Sequence, residues 1–443
     1  MTSKQLLFNR PVPQGWQMLT VDEIKANEPR SCVAGPFGSS ISSKYFVPEG
    51  VPVIRGNNLS DNLKPFVPHG FVFVSEEKAE SFKAQQVKGG DLVFTCWGTL
   101  GQVALIPKKG PYSTYIISNK QLKLRPNLEI CDARFLFYYF ASPQMVQHIR
   151  SIAIGAAVPG INLGILKSLQ VVIPPLPIQR KIAAILSAYD DLIENNTRRI
   201  EILEEMARSI YREWFVKFRF PGHGQVQMVD SELGLIPEGW EVVKIGDIAE
   251  VGRGSSPRPI ADQKYFEGGT IPWIKIADAT KSGKYLYETK QKVNEYGASF
   301  SRLLPKDSLI IAASGTLGYT QLLGVDGCIH DGWLYLINFK GIEKEYLYYL
   351  FREQQQFFYN AAYGAAIQNV NTMILREMKI ILPPSQIQKY FKDIISNSDN
   401  LLDNLGRKNL NLRQTRDLLL PRLISGEINL EEIDIGVYNA ENN

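Results

Sequence analysis

Arg55, Asn57 and Asn58 stand just after a β-branched run, Val51-Pro52-Val53-Ile54. A guanidinium and two primary amides are the groups that can make paired hydrogen bonds to the edge of a purine. Ser39, Ser40 and Lys44 come shortly before them, in a stretch opened by Gly35-Pro36-Phe37-Gly38, and Thr99 sits in Gly98-Thr99-Leu100-Gly101. A comparable set lies in the second half. Lys275 and Asp278 follow Ile271-Pro272-Trp273-Ile274, with Arg253, Ser255, Ser256, Arg258 and Lys264 ahead of them and Lys281, Lys284 and Tyr285 beyond. Cations, amides and hydroxyls on loops suit an anionic, acceptor-rich polymer. Residue type does not separate a contact to such a polymer's bases from one to its charged backbone. The glycines and apolar members of these runs read as turns, the role Gly and Pro play in any fold.

Catalytic chemistry is harder to find. The chain has no Gly-x-x-x-x-Gly-Lys-Ser/Thr phosphate loop and no His-Glu-x-x-His helix. Val251-Gly252-Arg253-Gly254 lacks the third glycine and the helix-opening context of a nucleotide loop. Glu-x-Lys triplets such as Glu76-Glu77-Lys78 and Glu288-Thr289-Lys290 have no partner Asp placed alike in both halves. His69, His148, His223 and His330 are isolated in sequence. The Tyr138-Tyr139 and Tyr348-Tyr349 pairs read as core packing. The chain is expected to carry no catalytic centre, cofactor or metal of its own.

The elements that must position these loops occur twice. Gly155-Ala156-Ala157-Val158-Pro159-Gly160-Ile161-Asn162 returns as Gly364-Ala365-Ala366-Ile367-Gln368-Asn369-Val370-Asn371, at an offset of 364 − 155 = 209. Pro174-Pro175 and Ile178-Gln179 return at the same offset as Pro383-Pro384 and Ile387-Gln388. Gly98-Thr99-Leu100-Gly101 returns unchanged as Gly315-Thr316-Leu317-Gly318, and Pro13-Gln14-Gly15-Trp16 as Pro237-Glu238-Gly239-Trp240. A long internal repeat fixes the architecture before any local assignment. Short β runs between turn residues, an aromatic helix (Arg134 to Phe140, answered by Glu345 to Phe351), a further strand and a Pro-Pro stop make each copy an α+β module.

Each module leads into a long helix. Apolar residues recur at Ile178, Ile182, Ile185, Tyr189 and Leu192, then at Ile200, Leu203, Met206 and Ile210. The second copy runs Ile387, Phe391, Ile394, Ser398, Leu401, Leu405, Asn409, Leu412, Thr415 and Leu419. Steps of three and four predict a coiled-coil stripe. The offset sets Asn196 against Leu405 and Ile200 against Asn409, so each helix has one Asn where the other is apolar. Buried, such residues fix register; on a rotated seam they are solvated. Two helices of this kind pair most simply as an antiparallel spacer. The boundaries read 1–176 first module, 177–219 first helix, 220–236 linker, 237–385 second module, 386–425 second helix and 426–443 a polar, fraying tail.

Composition sets the bounds. At 443 residues, with 44% hydrophobic and 21% charged residues, each half can bury its own core. No apolar run is long enough to span a bilayer and the first residues lack a signal-peptide pattern, which predicts a cytoplasmic protein with no membrane partner. Cys32, Cys96, Cys131 and Cys328 are scattered, as small buried apolar residues are. The net charge of +4 is unevenly spread. Residues 13–176 carry 16 Lys and Arg against 11 Asp and Glu, whereas residues 237–385 carry 16 of each.

The order of these motifs resembles the specificity subunit of type I restriction-modification enzymes. The resemblance runs through Gly35-Pro36-Phe37-Gly38-Ser39-Ser40, Gly50 to Asn58, Gly98-Thr99-Leu100-Gly101, Ser118-Asn119-Lys120-Gln121, Val158-Pro159-Gly160-Ile161-Asn162 and Ile173-Pro174-Pro175-Leu176-Pro177-Ile178-Gln179, duplicated and followed each time by a long helix. Ile178 and Ile387 stand where the family often has Glu before the Gln. The resemblance implies two target-recognition domains and a helical spacer. Each domain would read half of a bipartite, asymmetric site in double-stranded DNA. It also implies partners: two modification (methyltransferase) subunits using S-adenosylmethionine, and restriction subunits using ATP and magnesium. Two other classes stay open on the residues alone: a self-contained nuclease or methyltransferase, and a helical scaffold whose modules bind protein.

Overall fold

The computed structural model describes residues 6–7, 10–60, 62–155, 158–279, 283–362 and 369–433. The chain divides into two compact units, residues 1–192 with 412–443, and residues 193–411. The division runs through both long helices, so each unit holds one module together with a stretch of each helix. The sequence boundaries at 176 and 385 separate elements, whereas these units follow the packing.

In the first unit, Val103–Leu105, Leu92–Thr95, Gln121–Leu124 and Cys32–Ala34 form an antiparallel sheet in that order. A five-stranded sheet beside it runs Phe46–Val47, Val72–Val74, Val51–Ile54, Tyr115–Ile117 and Gln86–Val87, with the Val51–Ile54 and Tyr115–Ile117 pair parallel. The strands are short and mostly buried on both faces, as sheets covered on both sides are. The helix Ala133–Ala141 packs on the first sheet. Asp132 caps it, accepting from Phe135 N at 2.8 Å, and its six residues Phe135 to Phe140 are all buried. Gln170–Ile173 then pairs with Gln17–Thr20.

The second unit repeats this with altered detail. Glu250–Arg253, Trp333–Ile337, Leu309–Ala312, Thr320–Leu323 and Tyr285–Leu286 form one sheet, and Gln291–Val293, Ile271–Ile274, Gly327–Ile329 and Arg302–Leu304 the other. Backbone register confirms the correspondence. Gly35 N donates to Gln121 O and Gly254 N to Trp333 O, each at 2.9 Å. A Cβ on Gly35 would lie 1.9 Å from Ser118 O, and one on Gly254 2.2 Å from His330 O, so both positions demand glycine. The stretch 220–236, expected as a linker, includes the strand Met228–Ser231 and the start of its hairpin partner Gly234–Pro237.

The long helices run Leu176–Tyr211, continued by a π-turn at Arg212–Val216, and Ser385–Ile424. The repeated Gln anchors each start. Gln179 Nε2 donates to Ile130 O and Pro174 O, both at 2.8 Å, and its Oε1 accepts from Asp132 N. Gln388 does the same with Gly341 O, Pro383 O and Glu343 N. In the second unit, Asn196 Nδ2 donates to Asn409 Oδ1 at 3.0 Å, and Asn409, buried, donates to Thr197 Oγ1 at 3.2 Å. Tyr211 meets Phe391 in the same unit, so the two segments pass antiparallel. The predicted stripe needs correction by one residue in places. Leu192, Met206, Ile394 and Leu401 are exposed, while Ala207, Ile395, Leu402 and Arg416 are buried. The cause is a broader buried face, since each helix packs on a module as well as on the other helix. Of the expected tail, residues 434–443 lie outside the described residues; before them Leu430 is buried, and Lys181 Nζ donates to Leu430 O and Ile433 O.

Candidate nucleic-acid interface

Arg55 ends the strand Val51–Ile54 and starts the turn Gly56–Asn58. Its backbone N donates to Asn58 Oδ1 at 3.0 Å, and Asn58 Nδ2 donates to Val67 O and His69 O at 3.1 and 2.9 Å. Both ends of the Asn58 amide are thus engaged by backbone groups, and the residue acts as a buried staple of the turn. Asp278 holds the equivalent turn of the second domain, through a carboxylate that accepts from backbone N–H groups. Lys275 N donates to its Oδ2 at 3.0 Å and Lys290 N to its Oδ1 at 3.2 Å, so Asp278 is likewise a buried staple. The cation that precedes each staple is half-buried at the strand end. Arg55 Nη2 reaches Gly70 O at 3.4 Å, and exposed Asn57 donates to the same oxygen at 3.1 Å. Lys275 Nζ reaches Gln291 Oε1 and lies 5.3 Å from the Trp273 ring.

Arg55 forms part of a cleft of about 540 Å³ on the first domain, together with Ser43, Trp97, Thr99, Lys120 and Gln121. One wall comes from the 3-10 turns Gly38–Ile41 and Ser43–Tyr45, which carry exposed Ser39, Ser40 and Lys44. Asn119 Nδ2 ties that wall to the strand loop through Gly38 O at 3.3 Å. The opposite wall is the Gly98-Thr99-Leu100-Gly101 turn, whose Leu100 is buried and whose Thr99 is exposed. Its two glycines have φ of +93°, which a side chain resists. The structure thus brings Ser39, Ser40, Lys44, Arg55, Asn57 and Thr99 to neighbouring loops of one domain.

In the second domain the organising residue is one the sequence reading passed over. Asp331 takes Ser256 Oγ on Oδ1 at 3.2 Å and pairs with the Arg258 guanidinium through Oδ2, while its carbonyl accepts from Arg253 Nε at 2.8 Å. His330 Nε2 lies 2.9 Å from Asp331 Oδ1, and Gly332 N donates to His330 Nδ1 at 2.9 Å. A ring that accepts at Nδ1 must be neutral with its proton on Nε2. Burial accordingly holds the imidazole below its ordinary range, outweighing the nearby carboxylate. Ser255 is half-buried, its carbonyl accepting from Ser301 Oγ at 2.7 Å. Lys264 is exposed, paired with Asp262 at 2.8 Å.

Three further candidates change standing. Lys284 is ion-paired with Asp399 at 2.6 Å and within 4.9 Å of the Tyr349 ring, so its ammonium is committed to fastening the domain to a helix. Tyr285 lies in a strand paired with Thr320–Leu323 and packs against the core, not in a loop. Lys281 lies outside the described residues. The register aligns Ser118-Asn119-Lys120-Gln121 with His330-Asp331-Gly332-Trp333. The signal for Asp331 is therefore present in the sequence, in a motif whose second copy shares no residue with the first.

The four cysteines are buried and unpaired, and burial pushes the Cys32 and Cys96 thiols up to about 11. Among the described residues, no group of three or more His, Cys, Asp or Glu is placed to hold a metal ion, and no helix is long and apolar enough to cross a membrane.

Two copies of one α+β module, each with a polar loop cluster and each joined to a long helix, define a tandem recognition protein. The chain belongs to the type I restriction-modification DNA specificity family, whose domain model matches residues 37–205 and again 237–414. It is a DNA sequence-specificity subunit. It is 25% identical to the MjaIX type I restriction enzyme specificity subunit of Methanocaldococcus jannaschii, over 95% of both chains. It is 24% identical to the HindI type I restriction enzyme specificity subunit of Haemophilus influenzae, covering 77% of this chain and 87% of that one. The crystal structure of a type I restriction-modification S subunit from M. genitalium shares the fold, with a TM-score of 0.57 at 17% identity over 95% of this chain and 99% of that one.

Proposed function

We propose that each domain reads one half of a bipartite, asymmetric site in double-stranded DNA. On this reading the helix pair sets the distance between the halves. It also docks two modification subunits, which bind S-adenosylmethionine and methylate adenine, and restriction subunits with ATP and magnesium complete the assembly. The chain itself supplies recognition and no catalysis, and it works in the cytoplasm.

One observation carries the reading. The two modules match in backbone register, yet differ in the side chains their loops present: Arg55 against Lys275, and Asn119 against Asp331. A shared scaffold with divergent loop chemistry suits two different half-sites. Linking two modest binders makes the second event intramolecular, so specificity for the whole site exceeds that of either half. The test is base-resolution methylation mapping of DNA exposed to the chain with its methyltransferase subunits. The expected result is adenine methylation within a split motif. A continuous motif, or methyl transfer by the purified chain alone with S-adenosylmethionine and magnesium, would overturn the proposal.

A further inference from the structure

Gln121 is 1% exposed at the base of the first-domain cleft. Its Oε1 accepts the Ser118 hydroxyl, but its Nε2 has no acceptor among the described residues, and neither does the buried Nε of Arg55 in the same cleft. An unsatisfied buried donor loses its hydration without replacement, so native proteins keep few of them. The second domain keeps one at the same register position. There Trp333 replaces Gln121, and its indole N–H is likewise without an acceptor. The position thus retains an unpaired donor while its side chain changes.

We infer that Gln121 is a specificity-determining residue of the first domain: its Nε2, with Arg55 Nε, donates to the N7 and O6 acceptors of a guanine whose edge enters the cleft. The inference rests on the DNA-reading function proposed above. Guanine is the base whose major-groove edge offers two adjacent acceptors, and here both available groups are donors. Reading adenine would need an acceptor beside the donor, and Gln121 Oε1 is already engaged by Ser118. A base fits better than a phosphate because one of the two donors is a neutral amide and the cleft has an aromatic wall. Trp97, 40% exposed, is seated against Gly160, where a Cβ would lie 2.3 Å from the ring.

The experiment is binding by the full chain assembled with its methyltransferase subunits, using duplexes with 7-deazaguanine placed in turn at each guanine of the first half-site. Wild type is expected to lose roughly ten- to hundredfold at one position. Q121M, which cannot donate, should lose a similar factor on normal DNA, become indifferent to the analogue at that position, and keep its salt slope, its second half-site and its thermal stability. Q121E keeps the Ser118 hydrogen bond but presents an acceptor, and should bind no better than Q121M. The inference is overturned if Q121M binds as wild type, or if its loss couples to a methylphosphonate linkage and to no base analogue. If the wild-type complex does not discriminate sequence at all, the DNA-reading function itself has failed, and that outcome shows in the first titration.

Discussion

Side chains that look alike in sequence split into two roles. Asn58 and Asp278 share the polar loop chemistry of Arg55 and Lys275, yet they are buried staples that hold those cations at the strand end. Sequence places both on one loop but carries no information on which turns inward; that depends on the backbone groups of Val67, His69 and Lys290, remote in the chain. Lys284 makes the same point. Its counterpart problem in the first unit is Asp190, a half-buried carboxylate neutralised by Arg416 of the second helix at a short contact and hydrogen-bonded by Tyr138. Asp399 occupies the repeat-equivalent position and takes its cation from Lys284 of the module instead. Lys284→Met should therefore destabilise by about 3–5 kcal/mol by leaving Asp399 buried and unpaired, with Asp399→Leu in addition recovering most of it, as read by denaturant unfolding. His330 gives a pH signature. Its folded pKa lies below the ordinary 6.5, so its contribution to stability is full above 6.5 and is lost as pH falls through the folded value. Unfolding temperature should drop over that window, and His330→Ala should flatten this part of the profile. An unchanged profile would mean that the neutral ring bonded to Gly332 is not the folded form.

The elements were legible where they are long or strongly patterned. The strands Val51–Ile54 and Ile271–Ile274 fall where short apolar runs between turn residues put them. Cys32–Ala34, Tyr115–Ile117 and Gly327–Ile329 escaped because three residues hold too little pattern, and their pairing comes from distant partners. The helices were evident, but the seam shifted where module packing adds to helix packing. The paired Asn196 and Asn409 are the register device within this seam. Asn409→Leu alone takes the acceptor from Asn196 Nδ2, while Thr197 keeps its bond to Ile193 O, and should cost about 1–3 kcal/mol. Asn196→Leu with Asn409→Leu should recover that loss by burying apolar surface, while weakening the register preference. Chemical denaturation of the two variants tests this; equal destabilisation by both would show that the amide pair is not buried as a unit.

At the scale of the molecule, duplication was the most readable feature, and the family followed from its order. The charge difference between the modules was readable too, but not its consequence: the second module concentrates Arg253, Arg258 and His330 around Asp331 without any excess of positive charge. The ruler role of the helices predicts a length effect. One heptad inserted in each helix beside the Asn196–Asn409 pair adds about 10 Å at 1.5 Å per residue, close to three base-pair steps. The methylated motif should keep both halves and widen its gap. The most direct measurement of the central claim is methylation mapping after residues 13–176 are replaced by the corresponding module of a related specificity subunit. Two independent readers on one scaffold predict that one half of the motif changes while the other half persists. A motif in which both halves change, or neither does, would contradict that account.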